Sequence, residues 1–292
     1  MATQADHLRT RRVIASGRRR RALVGAAHTA VLAVLGILTF LPVLIMLEMS
    51  LKNLYQFNVY RWLPTLPWHV DNYVIAWSQV VGYLWNSFVI ATVTVIISIT
   101  ASSLTAYVLA RFDFPGRGAV FAAVVGSFLI PIALLTLPLY LLFSAIGLVD
   151  TPWAMLIPCL INPFSVYLAK VYTEATIPFE LLEAARIDGA GELRIFFSIV
   201  LRMMTTGGAT VFLLAFVNTW NAFFLPLTVL RGEENWTLNL GLYNWSGKRS
   251  ESGIDVTSLV LTGALLSIIP MAIMMVAMRR YWRTGVTLGA LK

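Results

Sequence analysis

Six blocks of apolar residues, at 22–47, 88–109, 119–143, 153–169, 207–230 and 258–278, are separated along this chain by shorter polar intervals. About 20 mainly apolar residues cross a bilayer as a helix, because roughly 30 Å of hydrocarbon is spanned at 1.5 Å per residue. The pattern therefore predicts an all-α membrane protein with six transmembrane helices. The fourth block is the shortest, and Pro158 and Pro163 break it. Pro131, Pro138, Pro226 and Pro270 lie in the other blocks and predict kinks there.

One polar interval departs from this rhythm. Residues 180–203, ELLEAARIDGAGELRIFFSIVLRM, hold seven of the chain's 36 charged side chains. Pro178 suits the start of a helix, and Glu180 and Glu183 follow where carboxylates complement the positive end of the helix dipole. Asp188 and Gly189 form a turn signal, and a second helix is expected from about Glu192. There Leu193, Phe196, Phe197 and Val200 fall at i, i+3, i+4 and i+7, which predicts one apolar stripe. The interval thus reads as helix, tight turn, helix. Its small residues Ala184, Ala185 and Gly189 would let a partner backbone approach closely, and an interfacial loop with its apolar face on lipid is the equal alternative.

Composition agrees with the pattern. The 292 residues are 58% hydrophobic and 12% charged, with a mean hydropathy of +0.77, whereas soluble domains carry about 25% charged residues. The net charge of +8 would suggest nucleic acid if it were spread over a surface. Instead, seven of the 22 Lys and Arg residues lie between Arg9 and Arg21, directly before the first block. That is a cytoplasmic anchor for topology, and no nucleic-acid partner is expected. With the N-terminus inside, seventeen basic residues fall on cytoplasmic segments and five on the opposite side. Both termini and the 180–203 interval are therefore expected in the cytoplasm. Tyr55, Tyr60, Trp62, Trp68, Tyr73, Trp77, Tyr83 and Trp85, between the first two blocks, suit the outer headgroup layer of the lipid bilayer, or packing on a neighbouring subunit or a docking protein. The single cysteine, Cys159, excludes an intrachain disulfide.

Catalytic and cofactor chemistry find little support. GLYNWSGKRS at 241–250 misses a phosphate-binding loop by one residue of spacing, and Arg249 stands where a magnesium-binding hydroxyl is needed. It reads as an outer loop. His7, His28 and His69 are scattered without metal-ligand spacing, so no metal site and no bound cofactor are expected. Polar side chains inside the blocks are candidates for a solute path: Asn162 in the fourth, and Asn218, Trp220 and Asn221 in the fifth. Each could equally hold helices together by hydrogen bonds.

The run Glu183-Ala184-Ala185, three residues, Gly189, nine residues, Ile199, one residue, Leu201 resembles the signature cytoplasmic loop of ABC importer membrane subunits. IPFELLEAARIDGAGELRIFFSIVL resembles the carbohydrate-uptake branch, and within it the G-type permease of the maltose transporter. AYVLARFDFPGRG, IGLVDTPWAMLIP, WNAFFLPLTVL and RYWRTGVTLGALK resemble that family in the corresponding places, so the likeness runs from about Asp71 onward. One departure is Arg202, where the family usually has proline; without it the second helix is expected to run a turn or two further.

The resemblance implies a permease subunit of an ATP-driven, binding-protein-dependent importer of a sugar, a di- or oligosaccharide, in the bacterial plasma membrane. Glu183, Ala184, Ala185, Asp188 and Gly189 would couple to an ATPase, and Gly285, Thr287 and Gly289 would form a tail that contacts it. The implied partners are a second permease subunit, two cytoplasmic ATPase subunits that hold ATP and magnesium, and an extracytoplasmic solute-binding protein. The chain itself would be no enzyme. Its expected parts are a basic cytoplasmic arm at 1–21, a transmembrane domain at 22–280 carrying a coupling loop at 173–205, and a cytoplasmic tail at 281–292. Glycerol phosphate or another polar solute is an alternative cargo. A stand-alone secondary transporter is a further alternative, although the spans lack the mid-membrane charge pairs that ion coupling would use.

Overall fold

A computed structural model describes the backbone of 2–127, 129–160, 162–247 and 256–289, and the side chains of these apart from 2–23, 206, 280 and 282–289. Helices account for nearly all of it. In order they are α1 (Ala2–Ser50), α2 (Leu54–Val59), α3 (Asp71–Arg111), α4 (Arg117–Ser127), α5 (Ile132–Ala145), α6 (Pro152–Cys159), α7 (Pro163–Thr176) and α8 (Phe179–Ile187). There follow α9 (Glu192–Ile195), a π-helical turn at Phe196–Val200, α10 (Leu201–Met203), α11 (Thr205–Trp220), α12 (Phe224–Val229), α13 (Leu238–Gly247) and α14 (Val256–Gly289).

Among the described residues, four helical stretches are long and apolar enough to span a membrane: Val24–Ser50, Asp71–Arg111, Pro152–Thr176 and Val256–Arg279. With two bent pairs each counted as one span, the number rises to six. Arg117–Ser127 meets Ile132–Ala145 at 101°, and Glu192–Met203 meets Gly207–Trp220 at 83°. Each of the six apolar blocks has a helical counterpart, but two of these are bent, and the second bent pair begins at Glu192, inside the charged interval, rather than at 207. Pro131 explains the first bend, since it is the N-cap of α5 and cannot donate to a continuing helix. The fifth block also ends early: α11 stops at Trp220 and α12 begins separately at Phe224.

The second span differs most from its block, for it starts at Asp71 rather than 88. Ala76, Val80, Tyr83 and Ser87 are buried at helical spacing, so Tyr73, Trp77, Tyr83 and Trp85 are on a helix and not in a loop. At 1.5 Å per residue α3 is about 60 Å long, twice the hydrocarbon thickness. It contributes to all three buried clusters. Val80, Tyr83 and Val95 pack with Phe216 and Trp220 of α11, Trp245 of α13 and Leu259 of α14. Ile90 joins Phe143, Met155, Leu225 and Leu240. Ala106 and Tyr107 join Ala169, Leu182, Phe196 and Val200. In lipid, helices gain little by hiding apolar surface and pair instead where small residues let them approach. The buried Ala91, Ser98, Ser102 and Ala106 of α3 and Ser165, Ala169 and Thr173 of α7 supply such faces. Gly207 does the same for α11, since a Cβ there would lie 2.6 Å from the Tyr172 ring. On α1, by contrast, Val31, Leu32, Ile37, Phe40 and Leu44 are all exposed, a surface suited to lipid tails.

Segments sort to two ends of the bundle. At one end, the link from α1 to α3 folds around Lys52, which is 1% exposed. Its Nζ donates to the carbonyls of Tyr60 at 2.6 Å and Arg61 at 3.1 Å, and pairs with Glu48 at 2.6 Å. Asn72 Nδ2 donates to the carbonyls of Ser50 and Lys52 at 2.8 and 3.0 Å. Further along α3, Asn86 Nδ2 donates to the Glu234 carbonyl at 2.7 Å, in the loop where the turn at Asp150 bonds to Arg231, Gly232 and Asn235. The opposite end gathers the end of α3, the end of α7 and the helix-turn-helix of α8 and α9.

Candidate functional site

Phe179–Ile187 forms a helix because Pro178, at the N-cap, needs no donor there and Glu180 sits in the first turn. The helix stops in a Schellman turn. Gly189 N–H bonds to the Arg186 carbonyl and Ala190 N–H to the Ala185 carbonyl, both at 3.0 Å. Gly189 has φ +79°, a left-handed conformation that side chains resist. Five residues separate the two charges that close the motif: Arg186 Nε donates to Glu192 Oε1 at 2.7 Å. The charge-assisted bond raises the Arg186 pKa further above its usual range.

The second helix differs from the expected stripe. Ile195, Phe196 and Val200 are buried, while Leu193 is 67% exposed and Phe197 54% exposed. The reason is the π-helical turn, whose wider winding brings residues five apart onto one face. Leu193 and Phe197 are thereby turned outward. The extension expected at Arg202 is also short: α10 ends at Met203, and the chain bends at Met204 without a proline.

Inward, the motif packs on Tyr107, Ile177 and Met204. Arg111 Nη2 donates to the carbonyls of Thr173 at 2.9 Å and of Ile177, a cation placed at the C-terminal end of α7. Outward lie Glu183, Ala184, Asp188 and Gly189, all exposed, with Ala185 half-buried. Ile187, 86% exposed, adds to Leu193 and Phe197 as apolar side chains of the motif that the bundle does not cover. The predicted coupling residues are thus brought to one surface. Tyr107, Arg111 and Phe112, which hold it from below, were not singled out in the sequence; their only signal is a polar aromatic and a cation at the end of an apolar run.

The solute-path candidates are not gathered into one place. Asn162 caps α7, its Oδ1 accepting from Ser165 N–H at 3.0 Å. Trp220 is 5% exposed and stacks on Phe216 at 5.7 Å. Asn218 and Asn221 are exposed, and Asn221 Nδ2 donates to its own helix at Val217 O, 2.9 Å. Gly285, Thr287 and Gly289 are on the last turns of α14, and what they touch lies outside the described residues. Gly241–Gly247 is helical rather than loop, because α13 packs Leu238, Leu242 and Trp245 into the core. Among the described residues no group of His, Cys, Asp or Glu could hold a metal ion.

Residues 98–283, more than half of the chain, match the family described as binding-protein-dependent transport system inner membrane component. The chain belongs to this family of transporter permeases. The permease is 34% identical over 227 residues to the arabinooligosaccharides transport system permease protein AraQ of Halalkalibacterium halodurans, covering 76% of this chain and 79% of that one. It is 31% identical over 273 residues to the melibiose/raffinose/stachyose import permease protein MelC of Bacillus subtilis, covering 90% and 95%. Its fold is shared with a chain of a bacterial ABC transporter involved in the import of the acidic polysaccharide alginate, at a TM-score of 0.77 and 22% identity over 89% of this chain and 96% of the other.

Proposed function

We propose that the permease is one of two membrane subunits of an ATP-driven, binding-protein-dependent importer of an oligosaccharide in the bacterial plasma membrane. The α8–turn–α9 motif is its coupling joint, facing the cytoplasm with both termini. Glu183, Ala184, Ala185, Asp188 and Gly189 seat on a cytoplasmic ATPase subunit, where ATP and magnesium are held. Gly285, Thr287 and Gly289 approach the ATPase pair from the tail. The observation that carries this reading is the surface itself. A Schellman turn presents exposed apolar Ile187, Leu193 and Phe197 around small residues, a surface that the described bundle leaves open. The basic residues along the sequence support the inward orientation.

The oligosaccharide cargo rests on the names of AraQ and MelC and on a diacetylchitobiose uptake permease, NgcG of Streptomyces coelicolor. A phosphorylated polyol is the second reading, favoured by 31% identity to the sn-glycerol-3-phosphate permease UgpE of Brucella abortus. Asn218 and Asn221 present exposed amides suited to a solute path that would also involve Asn162 and Trp220. The proposed parts remain an arm at 1–21, the membrane domain at 22–280 with the coupling loop at 173–205, and a tail at 281–292.

Purification of the assembly from its native membrane tests the proposal. An ATPase should co-purify and should crosslink to Glu183→Cys and Gly189→Cys. Vesicles holding the assembly and its binding protein should take up labelled arabino-oligosaccharide, raffinose or diacetylchitobiose. No crosslink at either cysteine refutes the coupling surface, and uptake of sn-glycerol 3-phosphate alone refutes the sugar.

A further inference from the structure

The carboxylate of Glu192 is shared between two helices to which it does not belong. Oε1 accepts from Arg186 Nε of α8 at 2.7 Å, and Oε2 accepts from the Tyr107 hydroxyl of α3 at 2.7 Å. Tyr107 is 1% exposed, with its ring edge-on to Phe112 at 5.6 Å and tilted on Phe196 at 6.0 Å. The Arg186 guanidinium lies 5.7 Å from the centre of the same Phe112 ring. Tyr107, Glu192, Arg186 and Phe112 therefore form a closed loop of contacts joining the end of α3 to both helices of the motif.

The remaining inward contacts of the motif, through Leu182, Ile195, Phe196 and Val200, are apolar. Apolar contact is non-directional and lets one helix slide on another. Charge-assisted hydrogen bonds fix distance and direction. The Schellman turn sets the angle between α8 and α9, and Glu192 sets the position of that pair on α3. Because α3 contributes to all three buried clusters, a shift of its end is felt along the bundle.

We propose that Glu192, with Arg186 and Tyr107, is the joint that transmits movement of the coupling motif to α3. The three are positioning residues, and the inference rests on the coupling role proposed above. Loosening the joint leaves the outer surface of the motif intact, so ATPase docking and hydrolysis persist while less of the stroke reaches the spans.

The test uses the whole assembly in vesicles, with uptake and ATP hydrolysis measured on one preparation and whichever of the four solutes named above the wild type takes up. Glu192→Ala and Tyr107→Phe should keep assembly and hydrolysis while solute moved per ATP falls roughly threefold or more, with Glu192→Gln in between. Tyr107→Phe removes one oxygen from a packed ring, so it decides the matter should the alanine variant assemble poorly. A readout that needs no solute is amide exchange in residues 98–111. ATP should alter it in the wild type and not in Tyr107→Phe. An unchanged transport ratio in Tyr107→Phe, or the same exchange response as the wild type, overturns the joint. A wild-type assembly without an ATPase refutes instead the function on which the joint depends.

Discussion

Asp150 has φ 63°, a left-handed conformation that costs a non-glycine residue about 1 kcal/mol. Its surroundings explain why it stays. The carboxylate accepts from the backbone N–H of Arg231 and of Gly232, each at 2.9 Å, and the carbonyl accepts from Asn235 Nδ2 at 3.0 Å. The Arg231 bond is the main cause that holds the carboxyl below its ordinary pKa, with Gly232 and Asn235 adding to it against some desolvation. A folded pKa below the unfolded one contributes stability that is present above the usual carboxylate range and is lost as pH falls through the folded value. Asp150→Asn tolerates the backbone conformation and keeps one acceptor oxygen, but it carries no charge. Its melting midpoint should lie below that of the wild type at neutral pH, and the gap should close on acidification. A gap that is constant with pH would mean that the charge plays no part. Gly189, at φ +79°, needs no such support, because nothing but its missing side chain is required for the turn.

The link between α1 and α3 shows how an element without regular length can still be rigid. Lys52 gives the Arg61 carbonyl a donor and adds one to the Tyr60 carbonyl, which also accepts from Leu63 N–H, and Asn72 donates to the carbonyls of Ser50 and Lys52. Lys52→Met should leave Glu48 without its cation and the Arg61 carbonyl without the donor Lys52 supplies, while the Tyr60 carbonyl keeps Leu63 N–H. Breaking such a pair costs about 3–5 kcal/mol when both groups are buried, and the cost should lie toward the lower bound because Glu48 is 26% exposed. The check is limited trypsin digestion: cleavage after Arg61, exposed in the wild type yet held in a folded link, should become markedly faster. This clasp was invisible in the sequence, where Lys52 reads as an ordinary loop charge. Periodicity made the spans legible, since each needs some 20 apolar residues whatever its neighbours are. It also exposed the helix-turn-helix, through Pro178, Gly189 and the charges around them. It could not show that α3 begins at Asp71, because aromatics at a membrane surface look alike on a helix and in a loop. Nor could it show the π-helical turn at Phe196–Val200, which depends on how Ile195, Phe196 and Val200 fill the space beside Tyr107.

At the scale of the molecule, contacts and charges give independent information about direction. The contacts separate the links into two groups. The clasp around Lys52 and the Asp150–Arg231 turn belong to one group, and Arg111–Ile177 and Tyr107–Glu192 belong to the other. This is the alternation that six crossings require, but it does not say which group faces the cytoplasm. The basic residues of the sequence favour the end that holds α8 and α9, where seventeen of the 22 are expected. A labelling experiment joins the two arguments, using a permease produced without its partners and with Cys159 replaced by serine. Trp62 is 72% exposed and Leu193 67% exposed, so cysteines at these positions differ little in access and should report sidedness alone. Trp62→Cys in intact cells should react with a thiol reagent that cannot cross the membrane, and Leu193→Cys should react only after permeabilisation. The reverse pattern would put the motif on the side that has no ATP, and no ATPase could then drive it.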